Sequence, residues 1–310
     1  MSLRLAINGY GRIGRCVLRA LHESPLSRAL SVVAIVEPAD LDSIAYLTRY
    51  DSTHGRFAGS VATRNQSLVI DGAEIPVFHA TTPEAIPWAD LGVDLVLECS
   101  GRYASRPELR RFIDAGCPRL LLSHPGHSAE DVDHTVVQGI NEAALPAAAR
   151  IVSAASCTTN AIVPVLAVLQ QSFGVDHALL TTLHSVMNDQ PLIDGYHHPD
   201  LRRTRSAMQS MVPVSTGLAR GVERLLPQLA GRIEAKAIRV PVLNVSAIDL
   251  AVSLGTAVTV AELNARLARA AAEAPGLLAY SDETHASIDF NHNPHSAIID
   301  GCQTRVSGGR

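Results

Sequence analysis

The sequence predicts a chain in two parts. An α/β domain with a doubly wound parallel sheet is expected over residues 1–156, and an α+β domain with a mixed or antiparallel sheet over residues 157–310. Three observations predict this. The first half alternates short apolar runs with helical patterns. The second half carries longer β-type runs with fewer intervening helices. The change falls at Ser156-Cys157-Thr158-Thr159-Asn160, and 310 residues suffice for two domains of ordinary size.

With 47% hydrophobic and 18% charged residues, the composition is that of a soluble globular protein, and with aromatics at only 4% its core must be aliphatic. The net charge of −4, without a long basic run, excludes a nucleic-acid or membrane surface as the expected partner. No stretch approaches the roughly 18–20 apolar residues of a membrane span. The chain enters a strand pattern directly, without a charged leader and a long apolar core, so no signal peptide is expected. The five cysteines (Cys16, Cys99, Cys117, Cys157 and Cys302) are widely spaced and contain no CxxC pair. That argues for a reducing, cytoplasmic setting and against a metal site.

In the first half, the apolar run Leu3 to Ile7 leads into Gly9-Tyr10-Gly11-Arg12-Ile13-Gly14, and Ile13, Val17, Leu18 and Leu21 then recur at helical spacing. Strand, GxGxxG and helix in that order make a dinucleotide site of the Rossmann type. Gly9 permits the tight turn, Gly11 admits a pyrophosphate close to the backbone, and Gly14 allows helix and strand to pack. A second strand, Ser31 to Val36, ends at Glu37. A carboxylate there can bind the two ribose hydroxyls and repel a 2′-phosphate, so the cofactor is read as NAD. The bland alternative is a solvated glutamate at a strand end. Leu95 to Leu97, Leu120 to Leu122 and Thr135 to Val137 are further strand candidates, the first two running into Cys99-Ser100-Gly101 and Ser123-His124-Pro125-Gly126. Glu142 to Ala149 reads as a helix interrupted by Pro146.

In the second half, Cys157 lies between a strand-like run, Ala149 to Ala154, and the apolar helical pattern of Ala161 to Phe173. A helix start offers free N–H groups and the positive end of the dipole, surroundings that favour thiolate over thiol. His184 closes the strand-like run that begins at Ala178. A cysteine at a helix start with a histidine in reach is a means of making a sulfur nucleophile near neutral pH. A structural cysteine and a core histidine are the competing readings. Ile233 to Val240, Val245 to Leu254 and Ser287 to Asn291 read as further β-type runs, and Thr259-Val260-Ala261-Glu262 reads as a capping box opening a helix to about Ala274. The long aperiodic stretch Asn188 to Arg205 contains Asp200-Leu201-Arg202-Arg203-Thr204-Arg205. Arginines on such a loop can clamp a phosphate, although each alone is more often a surface ion pair. Thr216-Gly217 adds a hydroxyl and a bare amide, and Arg239 ends a strand.

Together these residues resemble the glyceraldehyde-3-phosphate dehydrogenase superfamily. The resemblance is carried by Asn8 to Arg15, Ser156 to Asn160, His184 with Asn188-Asp189-Gln190, Asp200 to Arg203, and Arg239-Val240-Pro241, in family order along nearly the whole chain. Tyr50 to Phe57 is shared by two branches of the superfamily. Leu122 to Gly126 and Phe290 to Ser296 are more similar to the branch that oxidises D-erythrose 4-phosphate. Met187 stands where the triose branch has a threonine that donates to the substrate phosphate, and a thioether cannot donate.

The resemblance implies an NAD-dependent aldehyde dehydrogenase. Cys157 would attack the aldehyde and His184 would assist as base and oxyanion stabiliser. Arg239 would anchor the substrate phosphate, while Ser156, Thr158, Arg203, Thr216 and Gly217 would line a second anion pocket. Arg12 and Ile13 would touch the dinucleotide, with Ser100, Gly101 and Ser123 nearer the nicotinamide. The implied substrate is a phosphorylated small aldehyde, the implied assembly a homotetramer. Erythrose 4-phosphate would be oxidised through a cysteine thioester to 4-phosphoerythronate, for pyridoxal phosphate synthesis. A phosphorylating glyceraldehyde-3-phosphate dehydrogenase of glycolysis and a non-catalytic NAD-binding module are the alternatives. The family's C-terminal strand and helix, with a Trp-x-Asp-Asn-Glu signature, have no counterpart here; weaker NAD orientation and lower stability are expected from that. Ala154 and Thr81 also depart from the family pattern.

Overall fold

A computed structural model describes residues 2–196 and 200–309. The chain forms two compact units, Met1–Val136 with Ala143–Ala155 and Val137–Glu142 with Ser156–Arg310. The segment Val137–Glu142 therefore packs with the second unit although it lies within the first in sequence.

In the first unit, β1 (Leu3–Asn8) leads to α1 (Arg12–Glu23), β2 (Leu30–Val36) and α2 (Leu41–Arg49). A short hairpin, β3 (Tyr50–Asp51) and β4 (Gly55–Arg56), precedes the strands β5 (Val61–Arg64), β6 (Ser67–Ile70) and β7 (Ala73–Phe78). Then come β8 (Leu95–Glu98), α3 (Arg106–Asp114), β9 (Leu120–Leu122), β10 (His134–Thr135) and β11 (Ile151–Ser153). The sheet order is β10-β11-β9-β8-β1-β2-β7-β6-β5. Every pairing from β10 to β7 is parallel, and β5, β6 and β7 pair antiparallel. Alternate residues face opposite sides of the sheet, which explains its two cores. Ala6, Ala34 and Val96 pack with Leu109 and Phe112 of α3, whereas Ile7 and Ile35 pack with Leu18 of α1 and Ile44 of α2. With β2 and β8 on either side of β1, the strand order reverses there, and the loops after all three strands meet at one sheet edge, the place where doubly wound sheets bind ligands.

The second unit begins with α4 (Cys157–Phe173), β12 (Val175–His184), β13 (Val212–Val214), α5 (Leu218–Leu225) and β14 (Ile233–Arg239). It continues with β15 (Ala247–Leu254), α6 (Val260–Glu273), β16 (Leu278–Ser281) and β17 (Ala297–Asp300). Its main sheet runs β13-β14-β12-β15 and is mixed: β12 and β14 are parallel, the other pairs antiparallel. Ala178 and Leu180 of β12 face a core built with Ile162, Val163 and Leu166 of α4, Val222 of α5 and Leu267 of α6. Thr259 and Glu262 form the capping box, the Thr259 Oγ1 accepting from Glu262 N at 3.2 Å and Thr259 N donating to Glu262 Oε2 at 2.8 Å.

Several expectations need correction. The helix expected over Glu142 to Ala149 is a single 3-10 turn, Glu142–Ala144, because Pro146 lacks the N–H to continue it and disfavours helical geometry at Leu145. The run Ser287 to Asn291 is not a strand but a 3-10 turn, Ser287–Phe290, held by Ala286 N donating to Asp289 Oδ2 at 2.8 Å. The strand expected over Thr135 to Val137 is reduced to β10, whereas the helix expected to open at Cys157 does begin there. Within Asn188 to Arg205 the chain makes a 3-10 turn at Leu201–Thr204, and residues 197–199 of that stretch lie outside the described residues.

Candidate active site

Cys157 is the first residue of α4, and its thiol is exposed. Ser156 caps the helix by accepting from Thr159 N at 3.1 Å, and its hydroxyl also lies 3.2 Å from Thr158 Oγ1. Asn160 donates from N and Nδ2 to the Ser156 carbonyl at 2.9 and 3.0 Å, which locks the entry to the helix. The left-handed φ of 61° at Ala155 turns the chain into this start. Cys157 Sγ lies 3.7 Å from Nε2 of His184, the last residue of β12.

The other ring nitrogen identifies the tautomer. His184 Nδ1 lies 2.7 Å from the Ser185 carbonyl, which can only accept, so Nδ1 carries the proton and Nε2 presents its lone pair to the sulfur. Burial lowers the imidazole below its ordinary pKa; the bond to Ser185 opposes this and the nearby Arg239 guanidinium adds to it. Parallel register pairs His184 with Arg239, so the two residues end adjacent strands. Arg239 is 9% exposed, and burial lowers its pKa as well, against the attraction of Asp189. Asp189 in turn accepts from Arg203 Nη1 at 2.9 Å. Cys157, His184, Arg239, Asp189 and Arg203 thus form one electrostatic group, built from α4, two parallel strand ends and the loop after β12.

Thr216 and Gly217 stand at a second helix start, that of α5, where Thr216 Oγ1 accepts from Leu218 N at 3.2 Å. Helix α5 backs onto the first turn of α4: a Cβ on Gly221 would lie 2.7 Å from Thr159 Oγ1. A pocket of about 500 Å³ lies along β13 and β14, lined by Asp200, Arg202, Val214 and Lys236 among others. It contains none of Cys157, His184 or Arg239, so the thiol–imidazole pair lies outside it.

In the first unit, Gly9 has φ 86°, and a Cβ there would sit 2.5 Å from Ser100 Cα and N. A Cβ on Gly14 would run into the Gly9 carbonyl and come to 3.0 Å from Ile7 Cγ2, so helix–strand packing does require glycine. At Gly11 a Cβ would meet nothing within 4 Å. Gly11 precedes α1 without a side-chain cap, which leaves first-turn N–H groups facing open space: a cradle that fits a pyrophosphate. Glu37 accepts from Tyr10 N at 2.9 Å and from Ala39 N at 3.2 Å, so its carboxylate is already oriented beside the glycine turn. Arg12 lies 3.8 Å from Asp51, Ile13 is 48% exposed, and Gly101 takes a left-handed φ of 68°. Ser100 and Ser123 both bond to Glu98, Ser100 to its carboxylate and Ser123 N to its carbonyl at 3.0 Å.

Sequence reasoning missed two members of these groups. Ser185 acts through its carbonyl, which every residue type possesses and no sequence pattern reports. Glu98 is a carboxylate at a strand end, a signal present in the sequence but overshadowed by the apolar run before it.

Comparison with known families covers both units. Residues 3–106 match the NAD binding domain of glyceraldehyde 3-phosphate dehydrogenase, and residues 156–310 match its C-terminal domain. The chain is therefore a member of the glyceraldehyde-3-phosphate dehydrogenase family, NAD-dependent oxidoreductases of phosphorylated aldehydes.

Proposed function

We propose that the protein oxidises D-erythrose 4-phosphate to 4-phosphoerythronate, in the service of pyridoxal phosphate synthesis. The observation that carries the aldehyde chemistry is the 3.7 Å approach of Cys157 Sγ to His184 Nε2. The observation that favours the four-carbon substrate is Met187, a 45% exposed thioether three residues beyond His184, which offers a phosphate no donor.

Cys157 gives up its proton to Nε2 and its sulfur attacks the aldehyde carbon. His184, now protonated at Nε2, donates to the developing alkoxide and then takes the proton back as the carbon is oxidised. NAD, when bound, supplies the two-electron acceptor for that oxidation. The acyl group remains on Sγ as a thioester, and water opens it to the acid and restores the thiol. Arg239 holds the substrate phosphate; Ser156, Thr158, Arg203, Thr216 and Gly217 offer donors to a second anion. Gly9, Gly11, Arg12, Ile13 and Gly14 hold the dinucleotide, with Glu37 on the ribose and Ser100, Gly101 and Ser123 towards the nicotinamide end. The active form is a homotetramer in the cytoplasm.

NADH formation from erythrose 4-phosphate and from glyceraldehyde 3-phosphate, each with and without inorganic phosphate, tests the reading. Turnover of the four-carbon substrate without phosphate supports it. A strict need for phosphate, with higher kcat/KM for the triose and an acyl phosphate product, would establish the phosphorylating alternative.

A further inference from the structure

Glu98 is fully buried at the end of β8, at the point where the strand order reverses. Among the described residues it forms no ion pair with Arg or Lys. Its carboxylate instead collects three donors: Asn8 Nδ2 on Oε2, and Ser100 N (2.8 Å) and Ser100 Oγ on Oε1. Both partners flank the glycine turn. Asn8 immediately precedes Gly9, and Ser100 is the residue whose backbone Gly9 touches so closely that no Cβ fits between them. On the far side of the turn, Tyr10 N is held by Glu37 Oε2 at 2.9 Å. The turn Asn8-Gly9-Tyr10 is thus clamped between two carboxylates, one beneath it and one at its outer edge.

A buried carboxylate without an Arg or Lys partner is a costly choice for mere packing. Three converging donors give it a reason, since only an ionised carboxylate accepts from all of them with no donor of its own. A glutamine has one oxygen for these three donors: its NH₂ would face either the Ser100 donors or Asn8, whose amide would then have to turn over and withdraw its donor from the contact. Burial raises the pKa of Glu98 above the ordinary carboxylate value, and the donors from Ser100 and Asn8, with the nearby His124, oppose that rise.

We infer that Glu98 is a positioning residue for the dinucleotide, acting through Asn8 and Ser100 to hold the glycine turn in its binding shape. This role rests on the pyrophosphate lying over the turn, as proposed above. Calorimetric NAD titration of the full chain tests it. Glu98→Gln is expected to weaken NAD binding about tenfold, the effect of one buried donor left unpaired. Iodoacetamide labelling of Cys157 without NAD is expected to keep its wild-type rate, because Cys157 belongs to the other unit. Adding Asn8→Ala to Glu98→Gln should weaken binding little further, since the two act through one contact. A folded Glu98→Gln protein that binds NAD within twofold of wild type overturns the role. If Glu98→Gln does not fold, Asn8→Ala decides: wild-type affinity overturns the role, weakened affinity supports it. A wild-type chain that binds no NAD sinks the cofactor placement and this role together, whereas normal wild-type binding with an unaffected Glu98→Gln sinks the role alone.

Discussion

Arg239 Nη1 lies 3.4 Å from Nδ1 of His184, and both side chains reach towards the Ser185 carbonyl from the ends of two parallel strands. The carbonyl accepts a hydrogen bond from the protonated Nδ1, and the guanidinium disfavours a second proton on the ring. His184 therefore stays neutral, with Nε2 free, at lower pH than a solvated histidine.

Histidine NMR titration is expected to place His184 below the ordinary value of about 6.5. Replacing Arg239 by Gln should move its midpoint upward, though only part of the way, since burial is the larger cause. The folded state resists the proton that the unfolded chain accepts. This contribution to stability is therefore complete above about 6.5 and is lost as pH falls through the folded-state value. A wild-type midpoint at or above the ordinary value would refute the arrangement.

Sub-stoichiometric iodoacetamide is expected to label Cys157 first, as read by peptide mass spectrometry. Cys99 and Cys117 are buried, and burial pushes each to about 12, so neither supplies thiolate near neutral pH. Cys16 is also raised by burial. Labelling of Cys16 or Cys302 ahead of Cys157 would contradict the proposed nucleophile. Cys157→Ser should abolish NADH formation.

Gly9→Ala combines a left-handed backbone with a clash against Ser100. A loss of roughly 2–4 kcal/mol is expected from strain and overpacking together. Urea unfolding followed by the fluorescence of Trp88, the single tryptophan and a buried residue of the first unit, measures it. An unchanged midpoint would show that the turn relaxes freely.

Thr259→Ala removes the cap hydroxyl of α6 and should cost about 1 kcal/mol, seen by far-ultraviolet circular dichroism during urea unfolding. Thr259→Ser should restore most of it, because the acceptor oxygen returns. Equal loss in both variants would mean that the threonine methyl, not the hydroxyl, matters.

Glu37→Gln keeps an acceptor for Tyr10 N but removes the charge that would oppose a 2′-phosphate. The preference for NAD over NADP is expected to narrow about tenfold. The ratio of the two dissociation constants measures it, and an unchanged ratio would remove Glu37 from cofactor selection.

Features that depend on a few consecutive residues were legible in the sequence. The Gly9–Gly14 turn, the thiol at a helix start and the Thr259–Glu262 box all rest on backbone geometry within one turn of chain. The same reasoning failed where local patterns were ambiguous: Ser287 to Asn291 looks like a strand, but Asp289 folds back on Ala286 N, and the parallel pair β16–β17 gave no distinct signal.

By itself, then, the amino-acid order determined which chemical groups exist and which local shapes hold them. Tertiary structure alone decided their partners. Cys157 meets His184 because α4 packs on the sheet in which His184 ends β12, and His184 meets Arg239 because β12 and β14 pair in parallel across a long stretch of intervening chain. The proton on Nδ1 is decided by a backbone carbonyl, and the role of Glu98 by donors from β1 and from the loop after β8. The physical reason is that hydrogen bonds and charges act over a few ångströms of space, whereas sequence records only separation along the chain.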